Sequence, residues 1–488
     1  MVTPGVAALL ALAGAGTMLC AQAPNPTSAL NPFYGSITLR PAVDDALKLS
    51  LDDAVRRGLD NNLGLKEAEA GEKTLKAERL QALQNFLPII NVTGSNGIYQ
   101  HDLVAMGFGP GTLKMFSSLF PGGMPAGVSL ITKDDLTQGT IQYEQVLFSG
   151  PVIAGWKAAG AAQRAAYFVK MSARGEVVQQ VATAYLHAIA ASSEVDNARA
   201  LEAEDRVLLE HAHAEHVAGT AANLDELRAR VQLQAQQEAR LAAENALQKD
   251  LILLKREIGI APGQKIVLTD PAPYSDLAAQ TPAEVRAVAY KSRQDYQNLQ
   301  NQVVEFRALR QAYRSQRLPS LSFGGYYAVS KVNGVPSRGN FAMQGSLNIP
   351  LFREGKLRGD IQTAQANLNS VQAQLDDLRA RIDEQVRSAL LDVGASRKLV
   401  QVGRSNVDLA RQALADEMDR VNAGVDDNLP LVVAQATLAA AESNLVESLY
   451  QYNVSKLALA RSAGILESQY REYLGEPSGQ NSNPASQK

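Results

Sequence analysis

The sequence predicts an α+β membrane protein made of a duplicated unit. In it, long helices form a coiled-coil barrel, and four strands per chain are pooled between subunits into a β-barrel. Three observations carry this fold class. Most of the 488 residues read at helical periodicity, but four stretches alternate at period 2. Those four fall in two pairs, each set in the same frame of helices. The frame recurs at nearly constant spacing: 204 residues separate Phe148 from Phe352, and 205 separate Gly219 from Gly424. A constant offset of that kind marks duplication.

The bulk numbers frame the rest. The chain is too long for one ordinary compact core. Its net charge of −3, with no basic stripe, gives no sign of nucleic acid as a partner. Charged residues at 20% and hydrophobic residues at 46% are globular proportions. Residues 1–23 read as a secretory signal: an apolar stretch, then Ala21-Gln22-Ala23, with cleavage after Ala23. The stretch lacks the usual early Lys or Arg. Cys20, the one cysteine, is the alternative, a lipidation site; Leu19 before it, where a small residue is usual, argues against that. The mature chain then has no thiol chemistry. Beyond this segment no apolar run is long enough to cross a bilayer as a helix, which takes roughly 20 residues.

After an N-terminal extension (24–48), the first repeat spans 49–258. It opens with one helix of about 37 residues (50–86), reaches Leu87-Pro88, and enters strands 88–99 and 139–148. A long helix (151–218) follows, turns at Gly219 and returns to about Glu257. A Pro- and Gly-rich segment (259–284) at mid-height separates the repeats. The second repeat (285–465) has the same order. Its first helix, about 36 residues over 282–317, leads to Leu318-Pro319 and to strands 317–330 and 341–352. A long helix (354–423) then turns at Gly424 and returns to about Ala463. Residues 466–488 read as a disordered tail.

The second long helix is patterned. Leu357, Ile361, Ala364, Leu368, Val371, Leu375, Leu378 and Ile382 step by four and three, as a coiled-coil seam does. A four-four step at Ile382 to Val386 is a stutter, and Val393, Val400, Val407, Leu414 and Val421 continue at sevens. At 1.5 Å per residue the long helices reach roughly 100 Å and the short ones roughly 55 Å, so two short helices stacked end to end match one long one.

The strands have two unlike faces. Leu321, Phe323, Gly325, Tyr327 and Val329 point one way; Ser320, Ser322, Gly324, Tyr326, Ala328 and Ser330 point the other. Only helices and closed barrels span lipid, because every backbone polar group must be paired. Strands of about ten to twelve residues cross a bilayer, and about eight strands are the minimum for closure. Four strands therefore have to be pooled between copies, the apolar face against lipid and the Ser, Asn, Gln and Thr face toward water.

The order, spacing and duplication of these features resemble the TolC-like family of outer-membrane efflux proteins. The resemblance rests on Leu87-Pro88 and Leu318-Pro319, the exit PLFREGK (350–356), the opening LDDAVRRGLDNNLGLK from Leu51, and the paired turns at Gly219 and Gly424. It covers nearly the whole mature chain. It implies a homotrimer with a twelve-stranded barrel in outer-membrane lipid and a helical tunnel crossing the periplasm. That tunnel is a passive exit duct of a tripartite efflux or type I secretion system, docked on a periplasmic adaptor protein and an inner-membrane pump. Two other classes compete: a periplasmic coiled-coil adaptor and a trimeric structural stalk.

Nothing in the sequence reads as an enzyme. There is no nucleophile elbow, phosphate loop or zinc signature, so no catalytic residue, cofactor or metal ligand is expected. His213 and His216 share a helix face near the tip; they read as a solvated helix end, a metal site or a pH-sensitive ring. Trp156 either packs at the barrel base or anchors at the membrane interface. Loop 100–136 is long and Gly-rich, as an extracellular loop would be. Acidic gate residues of the resembling family often follow the second tip glycine by a turn, where this chain has Pro430 and Val433. Asp426 and Asp427 nearby, with Asp225 in the first repeat, form a displaced candidate gate; Asp426 and Asp427 equally suit helix caps. Gly219 and Gly424 are the candidate adaptor-docking turns.

Overall fold

The computed structural model describes residues 30–37, 41–102, 104–106, 131–219, 222–271, 273–423 and 428–475. A one-turn 3₁₀ helix (Pro32–Tyr34) and strand β1 (Leu47–Leu49) precede helices α1 (Leu51–Asn61) and α2 (Leu63–Gln84). Strands β2 (Ile89–Asp102) and β3 (Ile131–Phe148) follow. Then come α3 (Gly150–Ala218), α4 (Asn223–Ile258) and β4 (Ile266–Leu268). The order repeats through α5 (Pro282–Ser292), α6 (Gln294–Ser315), β5 (Ser320–Val332), β6 (Arg338–Asn348), α7 (Glu354–Asn422) and α8 (Asn428–Ser462). A last helix, α9, spans Leu466–Leu474.

The duplication is close in length. Helices α3 and α7 both have 69 residues, and α2 and α6 both have 22. The helix expected as one piece over 50–86 is broken at Asn62, and the one over 282–317 at Arg293. Both residues leave the helical region, with ψ of 132° and 122°. Asn62 ends α1 and starts α2 at once. Its N–H donates to Gly58 O, its Oδ1 accepts from Leu65 N, and its Nδ2 donates to Phe33 O at 2.6 Å. Arg293 instead holds Asp295 through two nitrogens (3.0 and 2.6 Å) and donates to Gln385 Oε1 at 2.7 Å.

Strand ends also differ from expectation. Strand β3 begins at Ile131, inside the expected loop, and β6 stops at Asn348 because Pro350 has no N–H to give a ladder. The largest correction is at the C-terminal side. The sequence from Leu466 reads as disordered, yet α9 is an amphipathic helix closed by Gly475 at φ 91°. Leu466, Tyr470, Tyr473 and Leu474 are buried, and Tyr470 Oη donates to Asp52 Oδ1 of α1 at 2.6 Å. Residues 476–488 lie outside the described residues.

The seam of α7 is buried along its length. Leu357, Ala364, Leu368, Val371, Leu375, Leu378, Val393, Val400, Val407 and Leu414 are all buried, and Ile382 and Val386 at the stutter are fully so. Ile361 and Val421 are half-buried. It packs against α6 above and α8 below. Helix α3 packs differently: near the sheet it buries small residues such as Ala154, Ala158, Ala161 and Ala165, and it packs on α2 and α6 as well as on α4. At mid-height β1 pairs in parallel with β4, Leu47 opposite Ile266. The Tyr185 hydroxyl of α3 lies 2.8 Å from Leu49 O and 3.0 Å from Asp270 Oδ2, tying this small sheet to the long helix.

Candidate channel wall and periplasmic tip

The four long strands form one antiparallel sheet in the order β2-β3-β5-β6. Register decides its faces. Leu321 opposes Leu347, Tyr327 opposes Phe341, Ile141 opposes Tyr327 and Val92 opposes Ile141. Cross-strand partners share a face, so these residues make one apolar band, and the band is bare. Val92 is 74% exposed, Phe341 72%, Met343 73% and Leu347 63%. On the other face Ser322 opposes Ser346, Gln142 opposes Tyr326, Thr140 opposes Ala328 and Thr93 opposes Thr140. The outer edges of β2 and β6 have no partner strand among the described residues. No helix among them is long and apolar enough to cross a membrane.

The tip is described on the first repeat only. Gly219 closes α3 in the left-handed region (φ 73°), its N–H donating to Glu215 O and His216 O. Asp225 stands half-buried in the first turn of α4 and pairs with Arg228 at 3.3 Å. Its neighbour Glu226 is buried, held by Arg230 at 2.8 Å and by His213 Nδ1 at 3.2 Å. His213 is thus bound to a carboxylate across the hairpin. Among the described residues no group of three or more His, Cys, Asp or Glu is placed to hold a metal ion. Gly424, Asp426, Asp427 and Cys20 lie outside the described residues, as does most of loop 100–136. Trp156, just below the sheet, meets Phe86 edge-to-face at 6.3 Å, with the Arg79 guanidinium 5.5 Å from its ring. It packs at the base of the strands.

Sequence reasoning passed over the ionic groups at mid-height. Arg461 of α8 reaches Glu176 of α3 at 2.9 Å, and Arg174 of α3 holds Glu467 of α9 at 2.6 Å. Lys456 is fully buried, its Nζ 3.3 Å from Ser275 O and 4.6 Å from the Tyr452 ring. Burial pushes its pKa down to about 8. Burial also raises Asp205, on the lower half of α3, to about 6, against a hydrogen bond from Gln232 of α4. Nearby, Glu204 is raised by burial and by Glu442 of α8.

The fold, a small sheet set on helices of about 100 Å, is shared with solved bacterial outer-membrane proteins. The Campylobacter jejuni CmeC outer membrane channel matches with TM-score 0.68 at 14% identity, covering 91% of this chain and 95% of that one. The Vibrio cholerae outer membrane protein VceC matches with TM-score 0.68 at 16% identity, covering 85% and 96%. The open state of the Neisseria gonorrhoeae MtrE outer membrane channel gives 0.68 at 16% identity, covering 85% and 89%. At these identities the likeness is one of fold. No curated protein matches by sequence. Residues 54–259 and 286–465, the two repeats, match the family described as outer membrane efflux protein. The chain therefore belongs to the outer membrane efflux protein family: it is an outer-membrane efflux channel with a periplasmic helical tunnel, in a family of transport channels rather than of enzymes.

Proposed function

We propose that three copies of this chain close one twelve-stranded barrel in outer-membrane lipid, continued by a helical tunnel toward the inner membrane. The observation that carries this is the sheet: two open edges, one bare apolar face and one polar face on every chain. An open edge in lipid leaves backbone groups unpaired, so β6 of one copy must meet β2 of the next. Two copies would supply eight strands, whose interior is filled by side chains, whereas twelve leave a duct.

In this reading the duct serves a tripartite efflux or type I secretion system passively, fed by an inner-membrane pump through a periplasmic adaptor protein. The turns at Gly219 and Gly424, six in a trimer, are the surfaces the adaptor meets. Asp225, Asp426 and Asp427 bring negative charge to the same ring, where the gate would lie. The mature chain begins at Pro24.

Light scattering with detergent subtraction tests the assembly: three chains per particle are expected. A stable monomer free of detergent refutes the shared barrel. For the gate, Asp426→Ala combined with Asp427→Ala is expected to raise single-channel conductance and weaken block by divalent cations. Unchanged conductance and block would make these aspartates helix caps only.

A further inference from the structure

A cleft of about 410 Å³ opens at mid-height, walled by α3, α4, the 3₁₀ turn and α8. It is independent of the sheet and of the tip. Its charged groups are acidic apart from His187. Glu257, from the last turn of α4, contributes to its wall and is 1% exposed. Gln180 Nε2 of α3 donates to its Oε1 at 3.1 Å. Its Oε2 is buried and has no hydrogen-bond partner among the described residues. Asp250, two turns earlier on α4, pairs with His187 Nδ1 of α3 at 3.0 Å. Glu176 on α3 is turned to Arg461 at 2.9 Å. The nearest lysine on the same element, Lys255, is directed away, to Pro262 O at 3.2 Å. Aromatic surface completes the walls: Tyr34 from the 3₁₀ turn, and Tyr450 of α8, which meets His187 edge-to-face at 5.2 Å.

A buried carboxyl oxygen with no donor is costly, and a cation is the group that relieves it. No described cluster is arranged for a metal ion. The volume lies within the range of small-molecule sites, and a mixed apolar and acidic lining selects a ligand with both characters. We propose that this cleft binds an amphipathic organic ammonium, its apolar body against Tyr34 and Tyr450 and its N–H groups directed to the Glu257 carboxylate. The ammonium would supply the donor that Oε2 lacks, and the rings would give its charge a favourable face. Burial raises the free Glu257 carboxyl to about 7, against the Gln180 hydrogen bond. A cation needs the ionised form, so binding has to strengthen as pH rises toward that value and level off above it.

The test is calorimetry on the full-length assembled protein with 2-phenylethylammonium, heats into empty micelles subtracted, and neutral 2-phenylethanol as the control. Expected is saturable binding of one ammonium per chain, nearly tenfold stronger at pH 6 than at pH 5 and level above pH 7.5. The alcohol should bind at least tenfold more weakly. Glu257→Gln should lose at least tenfold in affinity and all of the pH dependence. Three results overturn the proposal. The first is no binding to the wild type, as would follow if a neighbouring copy's own cation filled the cleft. The second is equal binding of ammonium and alcohol. The third is a pH profile kept in Glu257→Gln but lost in His187→Gln. The alcohol comparison needs only wild-type protein, so it stands even if the variants fold poorly.

Discussion

Asn62 and Arg293 occupy equivalent places in the two repeats and end their helices by different chemistry. Asn62 supplies its own cap, a habit of asparagine that competes with helix. The break was legible there, in an Asn ahead of LGLK, but outweighed by the apolar period on both sides. Arg293 has no such habit; its break depends on Asp295 and on Gln385, which is 92 residues away. Distance along the chain explains the other omissions too. Arg461 and Glu176 are 285 residues apart, and only the packing of α8 on α3 brings them together. Asn62→Ala is expected to cost about 1 kcal/mol through the lost cap, with more from the unpaired Phe33 carbonyl. Chemical denaturation of the purified protein checks it. Asp205 gives a pH-dependent case. Its folded pKa stands above the ordinary value of 3.8, so its contribution to stability is complete below that value and is lost as pH rises through about 6. Asp205→Asn should therefore raise the melting temperature at pH 7.5 and leave it unchanged at pH 3.5. An equal gain at both pH values would mean that charge is not the cause.

Among the elements, those with a strict period were the most legible. Helix α7 carries its apolar residues at sevens, and the structure buries nearly all of them. Helix α9 has Leu466, Tyr470, Tyr473 and Leu474 at one-face spacing, followed by Gly475, yet its sequence reads as a tail. Nine residues are short for a period, and the polar GEPSGQNSNPASQK that follows colours the reading. The strand faces were legible from alternation, while the strand ends were not, because pairing sets them. Those faces make a sharp comparison. Leu347→Arg places a charge in the apolar band and should cost roughly 2–4 kcal/mol near mid-membrane, whereas Ser346→Arg, on the polar face, should cost much less. Assembled protein recovered from the membrane fraction measures it, and equal yields would mean the face assignment is wrong. At the tip, Gly219→Val forces a β-branched residue to φ 73°, which should cost at least about 1–2 kcal/mol and loosen the hairpin. Faster proteolysis there is the expected signature.

At the scale of the whole molecule, the chain holds two kinds of structure with different needs. The helical part has its own core, running from Leu49 through α3 and α7 to Leu474. The sheet has none: its band of Val92, Ile141, Phe341 and Leu347 faces outward. If three copies close one barrel as proposed, each sheet edge is a debt owed by the neighbouring copy, and this has a genetic consequence. Take an allele that spoils only the outer edge of β6 and leaves the helices intact. Its product would still fold below the membrane and still enter rings of three. In a cell making both alleles equally, random mixing leaves only about one ring in eight free of the defective chain. The allele should act as a dominant inhibitor of export, while a deletion of the same gene should be recessive.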